Sequence, residues 1–288
     1  MALFFLVRSS EPWGLPSWAQ LAIWSLFGVV LLRDAFISLR PLLRRKPRAP
    51  FPPVRTLAVV VPTLNESETL GGCLDSLARM SPQPEEIIVV DGGSTDATRD
   101  IAAQRGATVV LSARGRGRQI AAGVKVAHSD VVLVVHADSI VCDDVAARVV
   151  AALKANLDAI AGAVGQRFNG EAIKLCAIEA MNEIRALFFG ISFGDQGQFL
   201  RREATLPADG FPPLPLMEDV EFSLRTRAAG SLLYLGGGIV SSDRRWRREK
   251  WLQRCLTVLA MTAVYRLRRS QRDQIAAALY RKYYAGTL

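Results

Sequence analysis

Apolar residues follow two different periods in the middle of this 288-residue chain. Between Thr56 and Asn156, short runs rich in β-branched residues alternate with longer stretches whose apolar positions recur every three or four residues. The runs Leu57–Val61, Glu86–Val90, Thr108–Leu111 and Val131–Val135 read as strands, the first and last apolar throughout and so buried on both faces. The stretches Ser67–Met80, Asp96–Arg105, Gly117–Ala127 and Asp143–Asn156 read as helices. Strand and helix alternating in this order build a mostly parallel sheet with right-handed crossovers and flanking helices, an α/β fold. Farther on, Gln198–Arg201 reads as a strand, and Glu218–Ala229 as a helix opened by an acidic pair after a Pro-rich loop.

The two ends differ from this body. Trp18–Leu32 is an apolar run without charge, short of the ~20 residues that span a bilayer. Arg40, Arg44, Arg45, Lys46 and Arg48 follow it, then prolines 47, 50, 52 and 53 make an extended linker. Either a marginal span or a helix in the membrane interface fits, with the basic side in the cytoplasm. A cleaved signal peptide does not fit, because no basic region directly precedes the run and no Ala-x-Ala follows it. Trp251–Leu267 is a second apolar helix, with Trp251, Leu252, Cys255, Leu256, Leu259 and Val264 as a candidate membrane face. Three parts result: an anchoring segment, 1–50; an α/β domain, 51–243; and a basic helical segment, 244–288.

Charge supports that division. Residues 1–50 hold seven Lys/Arg against two Asp/Glu, and residues 244–288 hold twelve against two. The protein carries a net +9, so the middle is acidic. Basic ends around an acidic body suit an anionic membrane surface. They do not suit nucleic acid, since aromatics are not interleaved with the basic runs as stacking platforms. Four cysteines far apart, with no Cys-x-x-Cys, exclude a zinc knuckle or disulfide framework and indicate a reducing compartment.

The strand ends carry the chemistry, because open α/β sheets bind ligands beyond their carboxyl edge. The first runs into Pro62-Thr63-Leu64-Asn65-Glu66, the second into Asp91-Gly92-Gly93-Ser94-Thr95-Asp96, the third into Arg114-Gly115-Arg116-Gly117-Arg118, and the fourth into His136-Ala137-Asp138. Asp91 can accept from a base or ribose, while Gly93 lets the backbone approach a ligand. Ser94 or Thr95 can otherwise serve as a helix N-cap. Arginines such as Arg118, on a Gly-bearing loop before a helix, suit a diphosphate. His136 and Asp138 are two potential metal ligands one residue apart.

This ordered set resembles glycosyltransferase family 2 of the GT-A fold, in particular short bacterial members with His-Ala-Asp in the metal motif. Gly194-Asp195-Gln196-Gly197, Met217-Glu218-Asp219-Val220-Glu221 and Arg244-Arg245-Trp246 extend the resemblance. It implies inverting transfer of a sugar from a nucleotide-sugar donor to an acceptor hydroxyl. By motif, Pro62, Thr63, Asn65, Glu66, Asp91, Gly93 and Ser94 belong to the donor site, and Asp138 binds Mg2+ or Mn2+ bridged to the diphosphate. His136 replaces the usual first Asp and either ligates Mn2+ or contacts ribose or phosphate. Asp219, beside Glu218, is the candidate general base. Asp195 and Gln196 position donor or acceptor sugar, and Arg244, Arg245 and Trp246 lie on the acceptor or diphosphate side. The acceptor expected is lipid-linked or a small molecule, at the cytoplasmic face of the inner membrane. Two other readings stay open: a non-catalytic nucleotide-sugar-binding membrane protein, and a nucleotidyltransferase, which lacks here its Gly-rich, Lys-bearing amino-terminal loop.

Overall fold

A computed structural model describes residues 50–170, 173–205, 210–241 and 251–284. Residues 1–49, which make up nearly all of the segment 1–50 expected to anchor the chain, and the Arg244-Arg245-Trp246 motif lie outside the described residues. Four parallel strands, β1 (Leu57–Thr63), β2 (Glu86–Asp91), β3 (Thr108–Leu111) and β4 (Val131–Val134), alternate with helices α1 (Leu70–Ala78), α2 (Thr98–Gln104) and α3 (Arg116–Val126). β1 is buried at all seven positions and β4 at all four, which is why both read as unbroken apolar runs. The helices begin up to three residues later than the apolar period suggests at α1, because Glu66 to Thr69 form a turn first.

The second half departs from the simple alternation. After β5 (Ser139–Val141) and α4 (Val145–Ala155) come β6 (Ala159–Ala163), β7 (Gln166–Phe168) and the long helix α5 (Ile173–Phe189). Then follow β8 (Gln198–Arg201), α6 (Glu218–Ala229), β9 (Ser231–Tyr234), β10 (Ile239–Ser241), α7 (Trp251–Leu267) and α8 (Arg272–Tyr284). The seven-stranded sheet runs β3-β2-β1-β4-β8-β6-β9, with β8 antiparallel to both neighbours. β5, β10 and β7 make a separate small sheet. Because β8 runs backwards, its amino end lies at the same edge as the carboxyl ends of β1, β2 and β4. That reversal delivers residues 194–198 to the edge where His136 and Asp138 sit.

Two cores flank the sheet. One centres on Val59, Val61, Leu77 and Leu133; the other on Val60, Val90, Ile120 and Phe222. A Cβ on Gly123 would collide with Val60, so α3 packs directly on β1. Buried Arg201 ends β8 and donates to the carbonyls of Ala159 (2.7 Å), Leu153 (2.6 Å) and Pro52 (2.8 Å), tying the linker to the sheet.

Trp251–Leu267 is helical as the sequence predicts, but its proposed membrane face is corrected in part. Cys255 is buried and Leu259 faces the cavity described below; Val264 is exposed. Tyr265 is fully buried and its hydroxyl donates to Glu221 (2.9 Å). The helix therefore packs on the α/β body, held there by a polar anchor that hydropathy alone does not register.

Candidate active site

The loops after β1 and β2 are tied to each other. The Asn65 N–H donates to Ser94 Oγ (2.9 Å), and Asn65 Oδ1 accepts from the Thr95 N–H (2.9 Å). The Glu66 N–H donates to Thr98 Oγ1 (2.8 Å), and the Ser67 N–H to Asp96 Oδ2 (3.1 Å). Asn65 holds φ at +56°, a left-handed position that Asn tolerates better than most residues. Asp91 is fully buried and accepts from the N–H groups of Gly93 (3.2 Å) and Ser94 (3.1 Å) and from the Ser94 hydroxyl. Its carboxylate thus shapes the loop from inside. Neither Ser94 nor Thr95 caps α2, whose N-cap position is Ala97. Pro62 and Thr63 are buried, and the Thr63 hydroxyl donates to the Val90 carbonyl (3.3 Å). Gln119, not foreseen from sequence, donates to the carbonyls of Thr63 (2.6 Å) and Val90 (2.9 Å) beneath the same floor.

Beside this floor opens a cavity of about 240 Å³, whose charged side is formed by Arg116, His136, Asp138, Asp195 and Asp219. Pro62, Thr63, Asp91 and Ser94 do not line it. His136 abuts Gly194: a Cβ there would stand 2.8 Å from His136 Nε2, so the close approach requires glycine. The Cys73 thiol, pushed up to about 12 by burial and by the charges of Asp138 and Glu66, points its sulfur at the His136 carbonyl (3.6 Å). Asp138 is exposed at the turn after β4 and forms no ion pair with a described residue. Asp195 Oδ1 is buried with no hydrogen-bond partner among the described residues. Burial raises its carboxyl above the usual range; Asp219 and Asp138 add to that, while Arg185 and Arg116 oppose it. Gln196 accepts from Arg185 (2.9 Å) and from the Phe193 N–H (2.9 Å), so it braces the turn.

The acidic pair opens α6 just after Met217, which is held at φ +63°. A left-handed bulky residue costs of order 1–3 kcal/mol and marks an aimed backbone. Glu218 is fully buried in an ion pair with Arg116. Burial raises its carboxyl, Arg116 lowers it, Asp219 raises it, and the net direction is upward. Asp219 faces the cavity, with Oδ2 accepting from the Gly194 N–H (2.9 Å) and standing 3.7 Å from Arg116. Arg116 therefore is the arginine of the Arg-Gly loop that reaches the cavity. Arg118 is exposed on α3 and does not line it, since residues two apart on a helix face different ways. The loop itself was the legible signal; choosing among its arginines requires knowing that α3 starts at Arg116.

The remaining walls were not legible. α5 contributes Ile178, Met181, Asn182 and Arg185, and α7 contributes Val258, Leu259 and Met261. Arg185 packs 3.5 Å above the Phe193 ring. Two residues beyond Asp219 and on another side of α6, fully buried Glu221 accepts from Tyr265, Arg225 (3.0 Å), Arg269 (2.9 Å) and Arg272 (3.4 Å). Burial pushes that carboxyl up, but the hydrogen bonds from Arg269 and Arg225 outweigh it, and the net direction is downward. Glu221 thereby clamps the carboxyl-terminal helices to the helix that carries Asp219. Among the described residues no three His, Cys, Asp or Glu form a self-sufficient metal cluster.

The family model for glycosyl transferase family 2 matches residues 58–204. The chain belongs to glycosyl transferase family 2. An uncharacterized glycosyltransferase of Mycobacterium tuberculosis is 36% identical over 107 residues, 37% of this chain and 47% of that protein. A PGL/p-HBAD biosynthesis glycosyltransferase of the same species is 51% identical over 45 residues, 16% of this chain and 18% of that protein. The chain thus spans less than half the length of these curated relatives. Among solved structures, the mannosyltransferase PcManGT of Pyrobaculum calidifontis, in complex with GDP-Man and Mn2+, shares 18% identity at TM-score 0.58, covering 91% of this chain and 79% of that one. S. aureus TarS 1-349 in complex with UDP shares 18% at TM-score 0.54, covering 81% and 73%. These likenesses establish a GT-A-like α/β fold.

Proposed function

We propose that this family 2 member transfers a sugar, with inversion, from a nucleoside-diphosphate sugar to an acceptor hydroxyl. The observation that carries the reading is convergence. Asp138, Asp195, Asp219 and Arg116 come from four separate stretches of chain and meet in one cavity at the sheet's carboxyl edge. The nucleoside would rest on the stapled loops around Asn65 and Asp91, and Arg116 would face the developing diphosphate charge. Asp219 would take the acceptor proton as the new glycosidic bond forms and the bond to diphosphate breaks. Its Oδ2 is aimed by the Gly194 N–H and backed by α6 (2.9 Å). Asp195, with a buried unpartnered oxygen, would accept from a sugar hydroxyl.

The donor set also fits a divalent cation. Asp138 offers an exposed carboxylate without a counter-ion among the described residues, and His136 stands beside it. Mg2+ or Mn2+ there would neutralise charge on the leaving diphosphate. The basic apolar segment of residues 1–50 would hold the protein at the cytoplasmic face of a membrane, the inner membrane in a bacterium. Among the described residues no helix is long and apolar enough to cross one.

A thermal-shift panel tests the donor site: UDP-, GDP-, TDP- and CMP-sugars, each with and without Mn2+ or Mg2+. A ligand bound only by the native state raises Tm. One nucleotide class should give a metal-dependent rise that Asp138→Ala abolishes. Folded protein that shifts with none of them would overturn the reading.

A further inference from the structure

α5 is built inside out. Among its described side chains the exposed positions are Cys176, Ala177 and Ala180, then Met181, Ile184, Leu187 and Phe188, and none of these is charged. Ile184, Leu187 and Phe188 are 51%, 62% and 69% exposed. Glu179, Glu183 and Arg185 of the same helix are engaged with the body instead. Glu179 accepts from the Phe168 N–H (2.7 Å), Glu183 pairs with Arg167 (2.7 Å), and Arg185 bonds Asn182 (2.8 Å) and Gln196 (2.9 Å). A helix that spends its polar groups inward and shows water an unbroken apolar stripe marks an interaction surface.

The stripe runs into the cavity, because Met181 belongs to both and Ile178 lies one turn away on the cavity wall. Opposite, Val258, Leu259 and Met261 of α7 extend the apolar wall, and Val264 and Leu267 continue outward as exposed side chains. One end of the cavity is thus acidic and polar, and the other is apolar and continuous with an apolar surface. Charge complementarity selects the occupant. The segments of sequence flanking the body are basic at both ends, with twelve Lys/Arg against two Asp/Glu from residue 244 onward. An apolar helix face in a chain whose flanking segments are basic in sequence suits an anionic lipid interface.

We propose that the outer face of α5 docks on an anionic lipid bilayer and presents the cavity to it, so that the acceptor hydroxyl is carried by a membrane lipid. The docking half stands on the apolar face of α5 and the basic charge of the flanking sequence. The acceptor half rests on the transferase reading.

The test uses the full chain with Cys142→Ser and Cys176→Ser, which removes both exposed thiols and leaves the buried Cys73 and Cys255. An environment-sensitive nitrobenzoxadiazole label is placed on Leu187→Cys in this background and, as reference, on native Cys142 in a separate chain that carries only Cys176→Ser, and vesicles of phosphatidylcholine and phosphatidylglycerol at 3:1 are added. The emission at position 187 should shift to the blue on vesicle binding, and that at position 142 should not. Ile184→Glu with Phe188→Glu, both at exposed positions, should weaken vesicle binding about tenfold or more, since two apolar side chains leave the interface. The same variant should keep any donor-induced rise in Tm. Vesicle-bound protein whose position 187 is unshifted would show that other segments attach it and would overturn the docking. A blue label before vesicles are added would also overturn it, by a second copy if concentration-dependent and by the chain's own residues if not. Failure of the donor to raise Tm in a protein that docks would sink the transferase reading and leave the docking intact.

Discussion

The loops after β1 and β2 and the cavity beyond β4 sit at one sheet edge but are built on opposite principles. In the first region nearly every polar group is answered from within: Asn65 by Ser94 and Thr95, Glu66 by Thr98, Asp91 by Gly93 and Ser94. In the second, Asp195 Oδ1 and Glu218 Oε2 are buried without hydrogen-bond partners and Asp138 is without a counter-ion among the described residues, and Met217 is held at positive φ. A surface already satisfied changes little when a ligand arrives and so suits binding. A surface with unanswered charge is stable only because the rest of the fold supports it, and its groups are available to react. On the transferase reading proposed above, the contrast fits recognition in the first region and chemistry in the second.

The largest effect should come from Asp219→Asn. The amide oxygen can still accept from the Gly194 N–H, but the Val220 N–H that donates to Asp219 Oδ1 (2.7 Å) loses its acceptor, so Tm should fall modestly while the protein stays folded. Sugar transfer should fall about 10²–10⁴-fold, the range for loss of a general base. Near-normal turnover would break the division of labour outright.

Next is the supporting cation. Arg116→Ala leaves Glu218 buried without its partner, and denaturant unfolding should show a loss of about 2–3 kcal/mol. That is under the full penalty for a stranded buried charge because Arg116 is 35% exposed and Glu218 can protonate. Arg118→Ala, on the outward side of α3, should stay within about 0.5 kcal/mol. Equal losses in the two variants would mean the cavity arginine is misassigned.

In the other region, Asp91→Ala strands the Gly93 and Ser94 N–H groups and should cost about 1–2 kcal/mol. The test of the comparison is where the damage shows. Donor affinity should weaken while the rate at saturating donor stays near normal. A fall in that rate alone would contradict a binding role.

The smallest effect is a difference in pH slope between two glutamates one turn apart on α6. Glu221 is lowered in the fold. Its contribution is therefore present above the ordinary value of 4.5 and fades as pH falls through its folded value, so the gap between wild type and Glu221→Gln should narrow in acid. Glu218 is raised. The stability it confers is fullest below 4.5 and fades as pH rises through its folded value, so Glu218→Gln should gain on wild type in that direction. Parallel profiles for the two variants would show that the carboxylates share one environment.

Much of this was legible before any coordinates. β1 to β4, Gln198–Arg201 and Glu218–Ala229 announce themselves because burial on both faces, or an acidic first turn, is written in consecutive residues. The loops after β3 and β4 name Arg116's neighbourhood and Asp138, while Asp195 and Asp219 were named by the resemblance to family 2 motifs. α5 was illegible for a stated reason: its apolar period is intact but faces the wrong way, and no local pattern distinguishes an apolar face turned to water from one turned to the core. The clamp on Glu221 was equally hidden, since Tyr265, Arg269 and Arg272 lie more than 40 residues away in sequence.

The sequence by itself determined the alternation of strand and helix, the sheet edge at which ligands gather, and the residue types collected there, because period, turn chemistry and strand ends are local properties. Only the tertiary structure decided that β8 runs backwards and carries Asp195 to that edge, that Arg116 rather than Arg118 meets the acidic pair, and that α7 covers the cavity while α5 shows its apolar face to the outside. Those outcomes depend on direction and on contacts between distant segments, and no stretch of sequence contains either.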